Sequence, residues 1–191
     1  MHHVYDTPSI ILSTQKKGDK DLLCEIFSRD FGKIHAVAIG AKTVHSKLRA
    51  SLRPYSITRT SLVRGKAGWR ITGSMLGVCL SDQLREQREV LEAAARVIGL
   101  ISRLVVDEQE SHAVYDVLVS YLEKLVQRNI FDDKDSLEVM AVASILATLG
   151  YLPHSLIPKE GEVELNVGRF QSSRKSELII AVNRALRDSH L

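Results

Sequence analysis

The fold is decided by residues 31–81, whose sequence is FGKIHAVAIGAKTVHSKLRASLRPYSITRTSLVRGKAGWRITGSMLGVCLS. Lys33–Ile39 is apolar and rich in β-branched residues, which predicts a strand that ends at a glycine. Tyr55–Arg64 and Trp69–Leu80 predict two more strands, joined by the short loop Gly65–Gly68. The fifteen residues that separate the first of these strands from the second are not strand-like. They predict a short helical insert.

The helical insert is expected to have one apolar side and one basic side. Ser46 is a candidate N-cap for one or two helical turns. Leu48 and Leu52 are four residues apart, and so are Arg49 and Arg53. Residues at this spacing share one face of a helix. We therefore expect the leucines to cover the core and the arginines to face solvent.

Two further strands precede this stretch. Ser9–Leu12 predicts a strand that leads into the turn Gln15–Lys20, and Asp21–Ser28 predicts a second strand that turns at Arg29–Gly32. The whole order is strand, strand, strand, short helix, strand, strand. This is the arrangement of an OB-fold barrel, which binds oligonucleotides with the face of its second and third strands and with its 1–2 and 4–5 loops.

Charge is distributed unevenly along the chain. Residues 31–81 contain nine basic side chains and no Asp or Glu, although the whole chain carries only +3. Residues 1–80 carry 13 Lys+Arg against 5 Asp+Glu, and residues 81–191 carry 13 against 18. The asymmetry predicts a basic domain at 1–80 that binds a polyanion, most simply nucleic acid, and an acidic domain at 81–191 with another partner. A solvated face that only maintains solubility is the alternative, but such faces normally mix both signs.

The basic residues of the insert are the first candidates for contact with phosphates, because none of them is needed on its apolar side. The candidate DNA-binding residues are Lys42, Lys47, Arg49 and Arg53 in the insert, Lys16, Lys17, Lys20, Arg64 and Lys66 on the two loops, and Lys33, Arg59 and Arg70 elsewhere in the basic stretch.

Aromatic residues make up only 5% of the chain. Binding should therefore depend on backbone phosphates more than on base stacking, and it should be largely independent of sequence. Trp69 is expected in the core, on the same strand face as Ile71 and Met75. Phe31, His35 and Tyr55 are freer to face a ligand, and a base stacked on one of them would contribute about 1–3 kcal/mol.

After Asp82 the apolar period becomes helical. It predicts amphipathic helices over residues 84–105 and 114–125. Asp135 and Glu138 resemble a capping box that opens a third helix, which is apolar on nearly all sides and should be the buried centre of a bundle. A final helix is predicted over 178–186, and a small hairpin over 160–170.

Neither a metal site nor a catalytic centre is indicated. The two cysteines, Cys24 and Cys79, are far apart, and the seven histidines show no ligand-like spacing. The sequence contains no nucleophile-elbow or P-loop motif, so we expect a non-enzyme without a cofactor. No apolar run is long enough to span a bilayer, and no apolar leader is present, which favours a cytoplasmic protein.

The first eighty residues contain an ordered series of short motifs: Gly18–Asp21, Phe27–Lys33, Gly40–Lys42, Ser46–Arg49 and Leu52–Tyr55. Their order and spacing resemble the N-terminal domain of the RecO family of recombination mediators. Leu146–Pro153 is similar to the stretch of the family's helical domain that precedes its zinc-binding insert.

The resemblance implies an OB fold that binds single- and double-stranded DNA, followed by a helical domain. It also implies strand annealing, the loading of RecA onto single strands coated by single-strand-binding protein, and two partners: RecR and the acidic C-terminal tail of single-strand-binding protein. Many family members carry four cysteines after the Leu-Gly-Tyr-x-Pro segment, but Ser155–Phe170 contains none. A zinc site is therefore not implied here, and the chain is also short for the family.

Basic residues crowd toward the end of the acidic half, and they form a candidate site for an acidic peptide tail. The tail would be steered by charge and would bury an apolar terminus on the face Leu178–Leu186. An ordinary exposed helix face is the alternative. The candidate partner-binding residues are Arg169, Arg174, Lys175, Arg184 and Arg187.

Two other functions fit the same sequence. The chain could be a protein–protein adaptor with an OB fold, for which contact with DNA is incidental. It could also be an RNA-binding OB protein, although the acidic helical half would then be unexplained.

Overall fold

A computed structural model describes residues 3–127, 134–157 and 172–188. Its strands form a closed barrel in the order β1-β2-β3-β5-β4, in which β4 returns to pair with β1. The pair β3–β5 is parallel and the other pairs are antiparallel. The predicted OB-fold barrel is confirmed. The strands are β1 Val4–Lys17, β2 Asp21–Ser28, β3 Gly32–Ala38, β4 Ser56–Gly65 and β5 Gly68–Cys79, and the insert between β3 and β4 contains α1, Leu48–Ser51.

The continuous apolar run in β1 serves two cores. Ile11 packs inside the barrel with Ile26. Its neighbours Ile10 and Leu12, together with Phe27 of β2, pack instead against helical residues that follow the barrel. Because successive side chains of a strand point to opposite faces, a strand covered on both faces must be apolar at every position.

The alternation predicted for β5 is confirmed only in its first half. Trp69 and Ile71 are 6% and 2% exposed, as expected of core residues. Met75 was expected on the same face. This expectation is wrong, because Met75 is 67% exposed. β5 carries an extra residue, Thr72, opposite the step from Ser61 to Leu62. Such a bulge reverses the facing of the residues that follow it, here as far as a second extra residue, Gly77.

Helices follow the barrel directly. The helix predicted as the buried centre contributes to two apolar clusters: Ala141 and Ile145 join the cluster shared with the barrel, and Leu146 joins the cluster that holds the last helix. That prediction is confirmed, whereas the hairpin predicted at 160–170 lies outside the described residues. The helices are α2 Leu80–Gln83, α3 Arg88–Leu104, α4 His112–Gln127, α5 Lys134–Thr148 and α6 Ser172–Asp188, with a 3-10 turn at His154–Leu156.

Two predicted caps are wrong. The residue that precedes α1 is Lys47 rather than Ser46, and no side chain caps that helix. Asp135 already lies within α5, and the Glu138 carboxylate accepts two hydrogen bonds of 2.6 Å from Arg96 of α3. The ion pair takes the place of a capping box because α3 packs beside the first turns of α5.

Candidate nucleic-acid interface

Six basic side chains lie at one end of the barrel, on the last residues of β1 and on two connections, and we call them the loop-end cluster. The β1–β2 turn and the β3–β4 connection are joined there, since the Lys42 amide donates to the Lys20 carbonyl at 2.9 Å and Lys42 Nζ to the Gly18 carbonyl at 3.3 Å. The insert thus brings its own cations beside those of the turn. The loop-end cluster consists of Lys16, Lys17, Lys20, Lys42, Lys47 and Arg49.

The loop-end cluster faces solvent, and its members form no ion pair within the described residues. Five of its members are exposed, and only Lys42 is half-buried. Across the described ranges, the carboxylates that form ion pairs do so with other basic residues. A phosphate could therefore bind here without first displacing a protein carboxylate.

Three other candidate cations are already engaged by the protein. Arg53 donates to both oxygens of Asp82, at 2.8 and 2.5 Å, and this contact raises the pKa of Arg53 and lowers that of Asp82. Arg53 was expected to be exposed like Arg49, and its side chain is 41% exposed, but its guanidinium is held by Asp82 of α2. Arg64 and Lys33 are held by a second acidic segment.

This second segment, residues 105–110 in the link between α3 and α4, is here called the acidic strap. Its backbone runs beside the start of β3, where the Glu108 amide donates to the Lys33 carbonyl at 2.8 Å. Gly32 has φ +67°, and a Cβ built on it would lie 1.9 Å from the Gln109 carbonyl oxygen. The approach is so close that the first residue of β3 must be glycine.

The carboxylates of the acidic strap bind cations and one indole of the barrel. Asp107 lies 3.2 Å from Lys33 Nζ and 3.7 Å from His35 Nε2. Glu108 accepts from Arg64 Nη2 at 2.7 Å and from Trp69 Nε1 at 3.2 Å. Lys33 is only 12% exposed, and its Nζ also donates to the Ser102 carbonyl at 2.6 Å. The sequence did not predict the strap, because Asp107 and Glu108 lie between two helices and no local pattern indicates which residues they contact.

The remaining candidate cations lie on β4, β5 and their hairpin. Lys66 is exposed in the hairpin loop, and Arg70 is exposed on β5 opposite Val63. Arg59 is exposed in the middle of β4, opposite Met75. These three continue the positive surface away from the loop-end cluster, along the outer face of β4 and β5.

The aromatic residues expected to face a ligand mostly serve the fold. Phe31 is half-buried in a cluster with Tyr5 and Trp69, at ring distances of 5.1 and 5.0 Å. Tyr55 is half-buried against the core that the barrel shares with the helices. The expectation is therefore wrong for these two. His35 is exposed, and its ring faces Asp107.

Only part of the partner site proposed near the end of the chain can be placed. Arg169 and the side chain of Arg174 lie outside the described residues. Lys175 donates a hydrogen bond of 3.0 Å to a serine hydroxyl of α5, and Arg184 and Arg187 are exposed on α6.

The apolar face of α6 is already occupied. Leu178, Val182 and Ala185 are buried in a cluster with Leu146 of α5. The expectation that this face receives an apolar peptide terminus is wrong, because it holds α6 on the bundle. Ile180, on the opposite side, is 66% exposed.

The described part of the chain shows neither a metal-binding group of side chains nor a membrane-spanning helix. No three His, Cys, Asp or Glu side chains are grouped there so that they could hold a metal ion, and both cysteines are buried free thiols. No described helix is both long and apolar enough to cross a membrane.

Comparison with known proteins agrees with this architecture. Residues 1–71 match the family profile described as Recombination protein O N terminal. The chain is 32% identical to the DNA repair protein RecO of Cutibacterium acnes over 127 residues, 64% of this chain and 50% of that protein. It is 24% identical over 148 residues to the protein of that name from Caldanaerobacter subterraneus subsp. tengcongensis, which covers 77% of this chain and 58% of the relative.

A third relative, the DNA repair protein RecO of Pelotomaculum thermopropionicum, is 26% identical over 150 residues, 78% of this chain and 57% of that protein. The chain thus spans about half the length of the curated relatives it matches. The matched N-terminal segment contains β1 to β4 and the start of β5 of the barrel. Over this barrel and the helices that follow it, the chain is similar to RecO proteins.

Proposed function

We propose that this chain is an accessory protein of DNA repair and homologous recombination that binds single- and double-stranded DNA through the backbone phosphates. The observation that carries the proposal is the loop-end cluster, six basic side chains at the end of β1 and on two connections of an OB barrel. Phosphates are common to all sequences, so binding should not depend on base identity. The chain would act without catalysis of its own.

The annealing of strands and the loading of RecA belong to the same proposal. They are supported by the similarity of the chain to RecO proteins, and so are the partners RecR and the acidic tail of single-strand-binding protein. Both processes require a protein that holds a single strand without reading its bases. A phosphate-binding surface with few exposed aromatic rings suits that requirement.

The salt dependence of binding tests the proposal most directly. Each phosphate neutralised on a single strand contributes about 0.7 to the slope of log affinity against log salt. Six cations could therefore contribute a slope of about 4. The double variant Lys47→Glu/Arg49→Glu removes two of them, and the expected loss of slope is about 1.4. Arg53 is left intact because its reversal would also break the contact with Asp82.

The matched control reverses two exposed cations of the helical half, Arg85→Glu and Lys124→Glu, which changes the net charge by the same amount. The control should keep the wild-type slope. If the folded Lys47/Arg49 variant binds single strands with unchanged affinity and slope, the loop-end cluster is not the DNA site and the adaptor function gains support. Titration with RNA of the same sequence decides the third function, since an RNA-binding protein would prefer RNA over DNA.

A further inference from the structure

We infer that the acidic strap is the intramolecular occupant of a second phosphate-binding subsite, and that nucleic acid and the strap compete for it. The subsite consists of Lys33, His35, Arg64 and the indole N–H of Trp69. The inference rests on the proposed function, because it assigns a regulation to the same DNA-binding barrel.

The four donors of the subsite are arranged as an anion site. Arg64 lies over the ring of Trp69, with its Cζ 5.2 Å from the ring centroid, and both residues donate to one carboxylate of Glu108. Asp107, the adjacent residue, contacts the ammonium group of Lys33 and the imidazole of His35. A guanidinium binds the oxygens of a phosphate with the same geometry as those of a carboxylate. Two successive carboxylates can thus stand in for two anionic groups of a strand.

The position of the subsite also favours nucleic acid over another anion. Lys33 and His35 lie on β3, and Arg64 lies where β4 meets the β4–β5 loop. The face of the second and third strands and the 4–5 loop are surfaces that OB folds use for oligonucleotides. Lys66 and Arg70 are exposed close by in the same hairpin. A strand that binds these two cations would pass next to Arg64.

The strap carboxylates are free to move away while the strap backbone stays in place. The side chains of Asp107 and Glu108 are 54% and 45% exposed. Ion pairs with this exposure are weak and are screened by salt. The backbone is held separately, by the hydrogen bond from the Glu108 amide to Lys33. Rotation of two side chains would therefore uncover the subsite without unfolding the link between α3 and α4.

The test neutralises the strap without changing its shape, in the variant Asp107→Asn/Glu108→Gln. We expect the variant to bind single-stranded DNA about three- to tenfold more tightly, since two exposed ion pairs no longer compete. The salt slope should increase by about 1.4, because two more phosphates are neutralised. The matched control Glu86→Gln/Glu123→Gln adds the same charge at exposed positions of the helical half, and it should keep the wild-type slope.

Fluorescence supplies a readout that does not depend on affinity. Trp69 is the one tryptophan of the chain. Saturating single-stranded DNA should change its emission in the wild type, and the strap variant should show part of that change without DNA. Adding Arg64→Gln to the strap variant should abolish the gain in affinity.

The outcomes separate this inference from the proposed function. If the wild type binds DNA but the strap variant gains no more than the control, the competition does not occur. Trp69 emission that does not change when DNA is added would also refute the competition. If only the strap variant binds DNA, the strap blocks the site completely and the inference holds. If no protein of the set binds DNA, both the proposed function and the inference fall. Should the double variant not fold, Glu108→Gln alone, which keeps Asp107, must show the gain.

Discussion

Replacement of Gly32 by alanine should destabilise the protein much more than the same replacement at Gly40. The two glycines have nearly identical backbone angles, φ +67° and +66°. An alanine in this left-handed region costs about 1–2 kcal/mol, and both variants should lose that amount. The sites differ in their surroundings: a Cβ on Gly40 meets nothing within 4 Å, whereas a Cβ on Gly32 would lie 1.9 Å from the Gln109 carbonyl oxygen.

The additional loss at Gly32 can be worked out from the contacts of the strap. The new methyl group and the Gln109 carbonyl must move apart, because real Cβ atoms are essentially never found closer than 3.0 Å to a neighbour. A strap displaced in this way loses the hydrogen bond of 2.8 Å from the Glu108 amide to Lys33, which contributes about 1 kcal/mol. The ion pairs of Asp107 and Glu108 are exposed and contribute at most about 1 kcal/mol each. The difference between the two variants should therefore be roughly 1–3 kcal/mol.

Urea denaturation of the two variants and the wild type measures this difference in the free energy of unfolding. Gly32→Ala should also bind single-stranded DNA more tightly than Gly40→Ala, provided that it remains folded, because displacement of the strap uncovers Arg64. Equal free energies of unfolding for the two variants would show that the strap does not press on β3. The reasoning about both the strap and the need for glycine would then be refuted.

Three further predictions concern the Cys24 thiol, the Asp82 carboxylate and the absence of bound zinc. Burial raises the pKa of the Cys24 thiol to about 12, so a thiol reagent at mildly alkaline pH should leave Cys24 unmodified in the native protein and modify it only in denaturant. The contact with Arg53 lowers the pKa of Asp82, so its stabilisation is present above the ordinary carboxyl pKa and lost as the pH falls through the lowered value. The difference in melting temperature between the wild type and Asp82→Asn should accordingly be small at neutral pH and vanish in strong acid. Elemental analysis should find no stoichiometric zinc, and a chelator should leave the melting curve unchanged; zinc at one equivalent would end this prediction.

The strand order could be predicted from the sequence because each strand is bounded by turn residues and is rich in apolar or β-branched residues. The helical insert after the third strand distinguished an OB barrel from other small barrels. Met75 could not be placed, since a bulge depends on how β5 pairs with β4 and leaves no local signal. The caps failed for a similar reason. Glu138 is drawn to Arg96 by helix packing, and the choice between a cap and an ion pair is not encoded within α5 alone.

The candidate site was predictable only in part. The sequence shows directly that the loops and the insert are basic. The residues of the loop-end cluster lie where those loops meet. Whether Lys33, Arg53 and Arg64 are available to a ligand depends on residues far along the chain. Their partners, Asp107, Asp82 and Glu108, are placed by the packing of helices on the barrel. A sequence that shows only like charges along a segment cannot reveal opposite charges that fold onto it.

The charge asymmetry of the chain has a different meaning once these pairs are known. Four acids of the second half bind cations of the barrel half, since Asp116 also pairs with Arg29 at 2.9 Å. The acidic half is therefore, in part, the partner of the basic half. Two of these pairs, Arg29–Asp116 and Lys33–Asp107, lie on β3 and the turn that precedes it, whereas the loop-end cluster, Arg59, Lys66 and Arg70 form no ion pair within the described residues. A polyanion should thus first meet these open cations. It reaches the usual ligand face of an OB fold only by displacing the strap, so the affinity for DNA and the stability of the strap must be inversely coupled.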